Sequence, residues 1–479
     1  MQRLRPLIAA IAALALPLGL TQPASALPLS FFQSHLPAGC TPEHLIFGPS
    51  NSLWFVIRGC EVNNHADALS AVEQIPITNP KPKLVKRLKK LPDDLTVGPE
   101  GNLWLAEESS GEHDLPKIGR LTPAGQLTQF ETPIQAGLPG SQHERPKQII
   151  VGPENDLWFV SPGNGSNAEG GGSNILGRIT PQGAVSQFPA PLIPSGRGKQ
   201  ESKADEVPRA LAKAANGNLW MEEQFEEGTI GLIEPGGVIK QIRVGESGQG
   251  IDTEGDSMVA TPEGGLWFRE RGGGLTLLNP SGEVQARYSL RENVGWEVDR
   301  SSVTTGDDAL WVTTPREVLA RITSSGTGEI AFCSTNEAPE QIAIGPEGDL
   351  WFSAYDGSAF GRLALPQLIG ELEREPTQAR ICGAKATPRR LEVRVACESL
   401  NISNTCAYQA TVTLADNPGR VLGTGRFVAY KGLHEPESLN VSLRPAIRSL
   451  LHRHRRLKLR LTLRSGTHVA ASRLVTLRG

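Results

Sequence analysis

Seven charged residues stand eleven positions before seven tryptophans: Glu43, Asp93, Lys147, Arg209, Asp256, Arg300 and Glu340 precede Trp54, Trp104, Trp158, Trp220, Trp267, Trp311 and Trp351. Three positions after the same tryptophans come Ile57, Glu107, Ser161, Glu223, Glu270, Thr314 and Ala354. If a turn centres about five residues before each tryptophan, both positions fall at one end of a hairpin. Charges gathered there support three kinds of chemistry. Acids facing Arg209 and Arg300 of neighbouring units make a balanced ionic rim. Three carboxylates at one hairpin end, Glu254, Asp256 and Glu270, suit an oxygen-loving Mg²⁺ or Ca²⁺ and are the candidate metal ligands. Catalysis through such an ion is the third reading, with Asp256 and Glu270 as the candidate catalytic residues. Asp93, Glu107, Arg209, Glu223, Arg300 and Glu340 are the candidate ligand-binding residues around the same mouth.

The elements that must position these groups are written into the spacing. Each of the seven tryptophans follows a leucine, and the gaps between them are 50, 54, 62, 47, 44 and 40 residues. In its fullest form the unit reads LPDDLTVGPEGNLWLAEE followed by KIGRLTPAGQLTQFETP. Apolar runs alternate with Pro/Gly turns, Pro99 fitting the first central position of a type I turn and Gly101 its exit. Four short antiparallel strands per unit, at this period, predict the blades of a seven-bladed β-propeller. So small a sheet cannot bury both faces alone, which makes the tryptophan the filler between stacked neighbours. After AFGRLALP the last unit lacks a fourth strand, and LSFFQSHLPAG, Leu29 to Gly39, predicts the N-terminal strand that closes the ring.

The phrases GPEGNLWLAE, KIGRLTPAGQLTQF, GRITPQGAVSQFPAP and GPEGDLWF resemble the repeat of the streptogramin lyase (virginiamycin B lyase) family, over roughly residues 28–365. The resemblance implies a seven-bladed propeller, and in the family's enzymes a magnesium-assisted elimination that opens the ring of type B streptogramins. It further implies a late blade carrying Glu-x-His before its Trp and a Glu after it. The fifth unit matches with Glu254 and Glu270, but has Asp256 at the histidine position. The seventh unit has Ala338, Glu340 and Ala354 there, and no histidine occurs between His143 and His434. An imidazole titrating near neutrality is what the elimination relies on. His44 and His143 stand at other spacings and read as surface residues.

Composition frames these readings. The chain has 479 residues, 38% hydrophobic and 21% charged, an ordinary globular make-up. Its start, basic at Arg3 and Arg5, apolar, then Ala24-Ser25-Ala26, predicts a signal peptide over residues 1–26. No later apolar run reaches the roughly 20 residues of a membrane span, so a secreted or extracytoplasmic protein is expected. Six cysteines without close pairs predict disulfides rather than a zinc site, with the pairing open. The net charge of −3 hides a division: residues 380–479 carry 18 Lys and Arg against five Asp and Glu, which leaves 30 against 46 for residues 1–379. Residues 366–379 read as a linker and residues 380–479 as a small basic β-sandwich, loosely immunoglobulin-like, with period-2 leucines from Leu457 to Leu463. PAIRSLLHRHRR reads as a helical turn whose His452 and His454 are solvated.

The expectation is a streptogramin lyase-like propeller that binds a small-molecule or cell-surface ligand at the channel mouth, its lyase site degenerate. The alternative is a metal-dependent C–O lyase on type B streptogramins, or a lactonase-like hydrolase. A monomer without nucleic-acid partners is expected in either case.

Overall fold

A five-residue turn delivers the Leu-Trp pair onto the second strand of its hairpin in six units, and a four-residue one in the Trp311 unit. In the Trp104 hairpin the Gly98 N–H donates to Asn102 O at 2.8 Å, while Glu100 and Gly101 take φ of 60° and 70°. Two consecutive left-handed residues are not a type I turn, which keeps φ negative at both central positions. The expected type I geometry is found in the Trp267 and Trp351 hairpins, where Gly264 and Gly348 alone turn left-handed, at 96° and 81°. Their N–H groups donate to Thr261 O at 3.0 Å and Gly345 O at 2.9 Å.

A computed structural model describes residues 28–34, 36, 40–62, 65–89, 92–107, 117–132, 146–161, 175–189, 208–223, 229–234, 238–244, 258–270, 274–289, 303–306, 309–314, 318–323, 326–333, 338–354, 359–374, 377–401, 405–429 and 436–478. The architecture is an all-β propeller. Its inner strands, Thr41–Gly48, Pro92–Val97, Gln148–Val151, Pro208–Lys213, Met258–Ala260, Val303–Gly306 and Pro339–Ile344, follow one another around a ring, the last against the first. Six units, those of Trp54, Trp104, Trp158, Trp220, Trp267 and Trp351, are discrete four-stranded antiparallel sheets. The Trp351 sheet takes Leu29–Gln33 as its fourth strand, Leu29 opposite Leu363 and Gln33 opposite Ala359.

Seven discrete blades were expected and six are present. The four strands of the Trp311 unit, from Val303 to Ala331, begin an eleven-stranded sheet that continues into the C-terminal strands. The join is the pairing of Glu329 with Ser399. A Cβ at Gly328 would lie 2.7 Å from Ser399 O, so a glycine is what lets the two backbones meet. A disulfide between Cys333 and Cys382, with Cα atoms 5.0 Å apart, fastens the same boundary.

Tryptophans fill the seams between neighbouring units. Trp54 packs on Leu95, Leu103, Leu105 and Leu121, and Trp104 on Ile149, Leu157, Phe159 and Ile179 of the next unit. Replacing one such ring by alanine costs about 3–5 kcal/mol. Trp104, Trp158 and Trp351 each stack on a phenylalanine of the fourth strand, Phe130, Phe188 and Phe32, at 5.8 Å between centroids. An arginine of the third strand, Arg120, Arg178 or Arg362, covers the same ring.

The C-terminal strands form one sheet, not the two of an immunoglobulin-like sandwich. Cys406–Leu414 bonds on one side to Val421–Ala429 and on the other to Arg456–Ser465, so the ladder is never interrupted. The sheet curls until its first and last strands meet, Arg473 Nη1 donating to Ile381 O at 2.8 Å and Cys382 O at 2.9 Å. Leu457, Leu459, Leu461 and Leu463 line the enclosed core together with Val393, Tyr408 and Val441. The stretch read as a linker carries an α-helix, Leu365–Arg374, whose Leu365, Leu368, Ile369 and Leu372 pack against Trp311 and Phe352. A second helix, Ala446–His454, matches the predicted helical turn, with His452 and His454 exposed. Cys397 is bonded to Cys406, and Cys40 is also disulfide-bonded. No helix among the described residues is long and apolar enough to cross a membrane.

Candidate functional site

In three of the described units the charged position eleven before the tryptophan sits in a backbone irregularity. In the Trp104 unit Pro92 pairs with Glu107 and Asp94 with Ala106, which leaves Asp93 as the extra residue of a β-bulge. The Trp220 unit repeats this with Pro208 on Glu223 and Ala210 on Glu222, so Arg209 is the bulged residue. In the Trp351 unit the irregularity lies between Pro339 and Ile342 and holds Glu340 and Gln341. A bulged residue leaves the strict in-and-out alternation, and its side chain is re-aimed along the strand edge. In these three units the residue at minus eleven therefore leaves the ladder of its own hairpin, whereas Glu43 in the Trp54 unit pairs with Val56 and the irregularity follows it.

What it meets there depends on that unit. Asp93 accepts a hydrogen bond from Lys147 Nζ at 2.8 Å, its own side chain 7% exposed, so two charged positions of adjacent units form a partly buried ion pair. Glu340 has the opposite fortune. Its Oε2 is buried and accepts no hydrogen bond among the described residues. Burial first, and the charge of Glu43 second, push its carboxyl above the ordinary carboxylate range.

The next position, ten before the tryptophan, was not singled out by sequence and proves more connected. Asp94 Oδ1 stands 3.2 Å from His44 Nδ1 and accepts from its neighbour Leu95 N–H at 2.7 Å. Asp94 Oδ2 accepts from Ile149 N–H at 2.8 Å. One carboxylate thus joins the inner strands of three consecutive units. Gln148 repeats the pattern in the next seam, exchanging hydrogen bonds with the Leu211 backbone, Nε2 to O at 3.2 Å and N to Oε1 at 2.5 Å. The available signal was polarity: His44, Asp94, Gln148 and Gln341 all occupy this phase.

Three of them, His44, Asp94 and Gln341, border a cavity of about 390 Å³ lined by inner strands of four units around the propeller axis. His44, Asp94, Thr304 and Gln341 give it a polar edge, and Ile46, Phe47, Leu95, Ile342 and Ile344 an apolar wall. An imidazole held by a carboxylate, opening into a small amphipathic cavity, can exchange a proton or orient a polar ligand.

The other expected residues are distributed as follows. Glu107 is 3% exposed and accepts from Gln129 Nε2 of the outer strand. Its Oε1 fills the space over Gly119, where a Cβ would come within 2.3 Å of it. The acid that closes GPEGNLWLAEE is therefore packed inside the blade stack and does not border the axial cavity. Glu223 and Glu270 end the second strands of their units, Glu270 opposite Gly274, and Arg209 lies in its bulge, with the three side chains outside the described residues. Glu254, Asp256, Arg300 and His143 lie wholly outside them. Among the described residues no group of three or more His, Cys, Asp or Glu could hold a metal ion. Two charges unforeseen by the sequence are buried two residues after adjacent tryptophans, Glu222 at 0% and Arg269 at 6% exposure.

No family model matches the chain, and no curated protein matches it. Among solved structures, one with a similar fold is YCF48 bound to D1 peptide, 16% identical, with a TM-score of 0.45 over 71% of this chain and 98% of that one. The likeness to streptogramin lyases accordingly rests on the repeat phrases.

Proposed function

We propose that the chain is an extracytoplasmic ligand-binding propeller of streptogramin lyase-like repeat, with seven inner strands acting as one ring and the Trp311 unit prolonged into a basic C-terminal sheet. Its ligand is a small molecule or an exposed cell-surface group that enters the axial mouth. The observation that carries this reading is the axial cavity of about 390 Å³, polar at His44 and Asp94 and apolar at Phe47, Ile342 and Ile344. Disulfide-bonded cysteines support an oxidising compartment. The Asp256 substitution at the family's histidine position supports loss of the elimination. A cation at Glu254, Asp256 and Glu270 remains part of the proposal on sequence grounds.

Incubating the full chain with a type B streptogramin and Mg²⁺ tests it: the ring should stay closed. Ring opening that disappears in Glu270→Ala would overturn the binding-only reading. Calorimetric titration of metal-stripped protein with Mg²⁺ and Ca²⁺ should show saturable binding lost in both Glu254→Ala and Asp256→Ala.

A second reading, a C–O lyase or lactonase-like hydrolase with a rearranged base, is favoured by the His44–Asp94 couple at the cavity edge. There the carboxylate would fix the tautomer of the imidazole. Under it His44→Gln abolishes turnover while leaving the melting temperature within a few degrees.

A further inference from the structure

A larger cavity, about 620 Å³, lies between the Trp267 and Trp311 units, away from the axis. Trp267, Leu277 and Tyr288 line it, with Glu263, Asn279 and Gln285 among its polar groups. The sister units show what normally occupies this place. Across from each tryptophan, on the third strand, the register sets Arg120 beside Trp104, Arg178 beside Trp158, Arg321 beside Trp311 and Arg362 beside Trp351. Each guanidinium lies 5.5–5.9 Å from its ring centroid. In two of them it is also gripped by acids of the preceding turn: Arg178 by Glu154 and Asp156, Arg362 by Glu347 and Asp349.

The Trp267 unit keeps the ring and one of the two acids, with Gly265 where Asp156 and Asp349 stand, and lacks the arginine. Leu277 stands opposite Trp267. Glu263 holds the position of Glu154 and Glu347, four residues before the tryptophan. Tyr288 takes the place of the stacking phenylalanine, its centroid 5.6 Å from that of Trp267, and donates through its hydroxyl to Thr323 O at 3.0 Å. Two other units also lack the arginine, but Gln74 and Leu232, at 9% and 5% exposure, are buried against Trp54 and Trp220, whereas Leu277 is only half-buried. The hairpin register of the next unit is also shorter by one residue. Five residues, 261–265, separate the pair Ala260 and Leu266, but only four, 306–309, separate Thr305 and Leu310. In the preceding seam the longer turn reaches over the ring, Trp220 Nε1 donating to Gly264 O at 3.3 Å.

We propose that this cavity binds a guanidinium group from outside the chain, seated on Trp267 beside Tyr288 and paired with Glu263, in the place where sister units hold their own arginine. A planar cation that stacks and pairs at once is what such a receptor selects, so an ammonium should bind less well. The site is independent of the axial cavity and of any reaction there.

Calorimetry on the full chain supplies the test, with three probes: a terminally blocked arginine, agmatine and a terminally blocked lysine. Both guanidines should bind saturably, and the lysine roughly fivefold more weakly or worse. Leu277→Arg should restore the internal arginine, abolish binding and raise the melting temperature. Glu263→Gln, at an exposed position that leaves folding intact, should weaken binding roughly threefold. Preference for the blocked arginine over agmatine would assign the site to peptide arginines, and the reverse preference to free guanidine compounds. The proposal is overturned by equal affinity for lysine, by binding that survives in a folded Leu277→Arg chain, by affinity unchanged in Glu263→Gln, or by no saturable binding of either guanidine.

Discussion

Two seams of the propeller mouth use the same sequence position to opposite effect. Between the Trp104 and Trp158 units, Asp93 meets Lys147 in an ion pair of 2.8 Å, and Asp94 accepts from the Ile149 backbone. Between the Trp351 and Trp54 units, burial first and the charge of Glu43 second push the Glu340 carboxyl upward. The bulge is common to Asp93 and Glu340, so the difference lies in what each then meets: a lysine for Asp93, and burial together with a second acid for Glu340. A repeat can therefore fix where a charge goes without fixing what it does. The first seam spends its charges on cohesion, and the second leaves a like-charged pair at the rim.

The sharpest way to break the comparison is to remove Asp94. Asp94→Ala strands the buried Ile149 N–H and releases His44, and should cost about 3 kcal/mol in denaturant unfolding, whereas Asp94→Asn keeps one acceptor and should cost about 1 kcal/mol. If the two variants cost the same, the carboxylate is not joining three units. A smaller effect is expected at the ion pair. Lys147→Met removes this lysine from the nearly buried Asp93 and should cost about 1 kcal/mol, since the lysine itself is a third exposed. In Asp93→Asn the same lysine change should be close to neutral, and a double-mutant cycle without coupling would place the charge pair among the inert surface contacts.

The propeller was legible because its signals are local and repeated. A leucine-tryptophan pair after a Pro/Gly turn fixes strand, turn and seam at once, and the strand Leu29–Gln33 closes the Trp351 sheet as the missing fourth strand required. The Trp311 unit was not legible as a departure, because its fusion to the C-terminal sheet depends on one pairing, Glu329 with Ser399, seventy residues along the chain. The curl of the C-terminal sheet was hidden for a related reason: alternation reports that Leu459 and Leu461 share a face, not whether that face meets a second sheet or its own. At the mouth, the minus-eleven phase was visible, but the bulge that turns it sideways was not, since nothing in Pro92-Asp93-Asp94 says which aspartate pairs. That one-residue uncertainty sent attention to Asp93 and away from Asp94. It likewise set Glu107 at the mouth, when the register buries it under Gly119 and Gln129.

The gentlest change sharpens the comparison most, because it alters one proton and almost no shape. In the folded chain Glu340 holds its proton to a higher pH than the ordinary carboxylate value of 4.5, burial being the larger cause and Glu43 the second. Between 4.5 and that raised value the folded state binds a proton that the unfolded chain has released, so stability falls as pH rises through this window. Glu340→Gln removes that loss. The variant should melt about 1 °C above the parent at pH 7, and the advantage should vanish as pH falls below 4.5, where both chains are neutral at this position. Glu73 and Glu398 are also pushed upward, chiefly by burial, and slope the stability of both chains in the same direction. Only the difference between the two pH curves therefore reports on Glu340. A difference that stays flat with pH would mean that the Glu340 carboxyl is solvated and that the like-charged seam carries no tension. A difference that grows toward neutrality and shrinks in Glu43→Gln would trace part of that tension to the neighbouring acid.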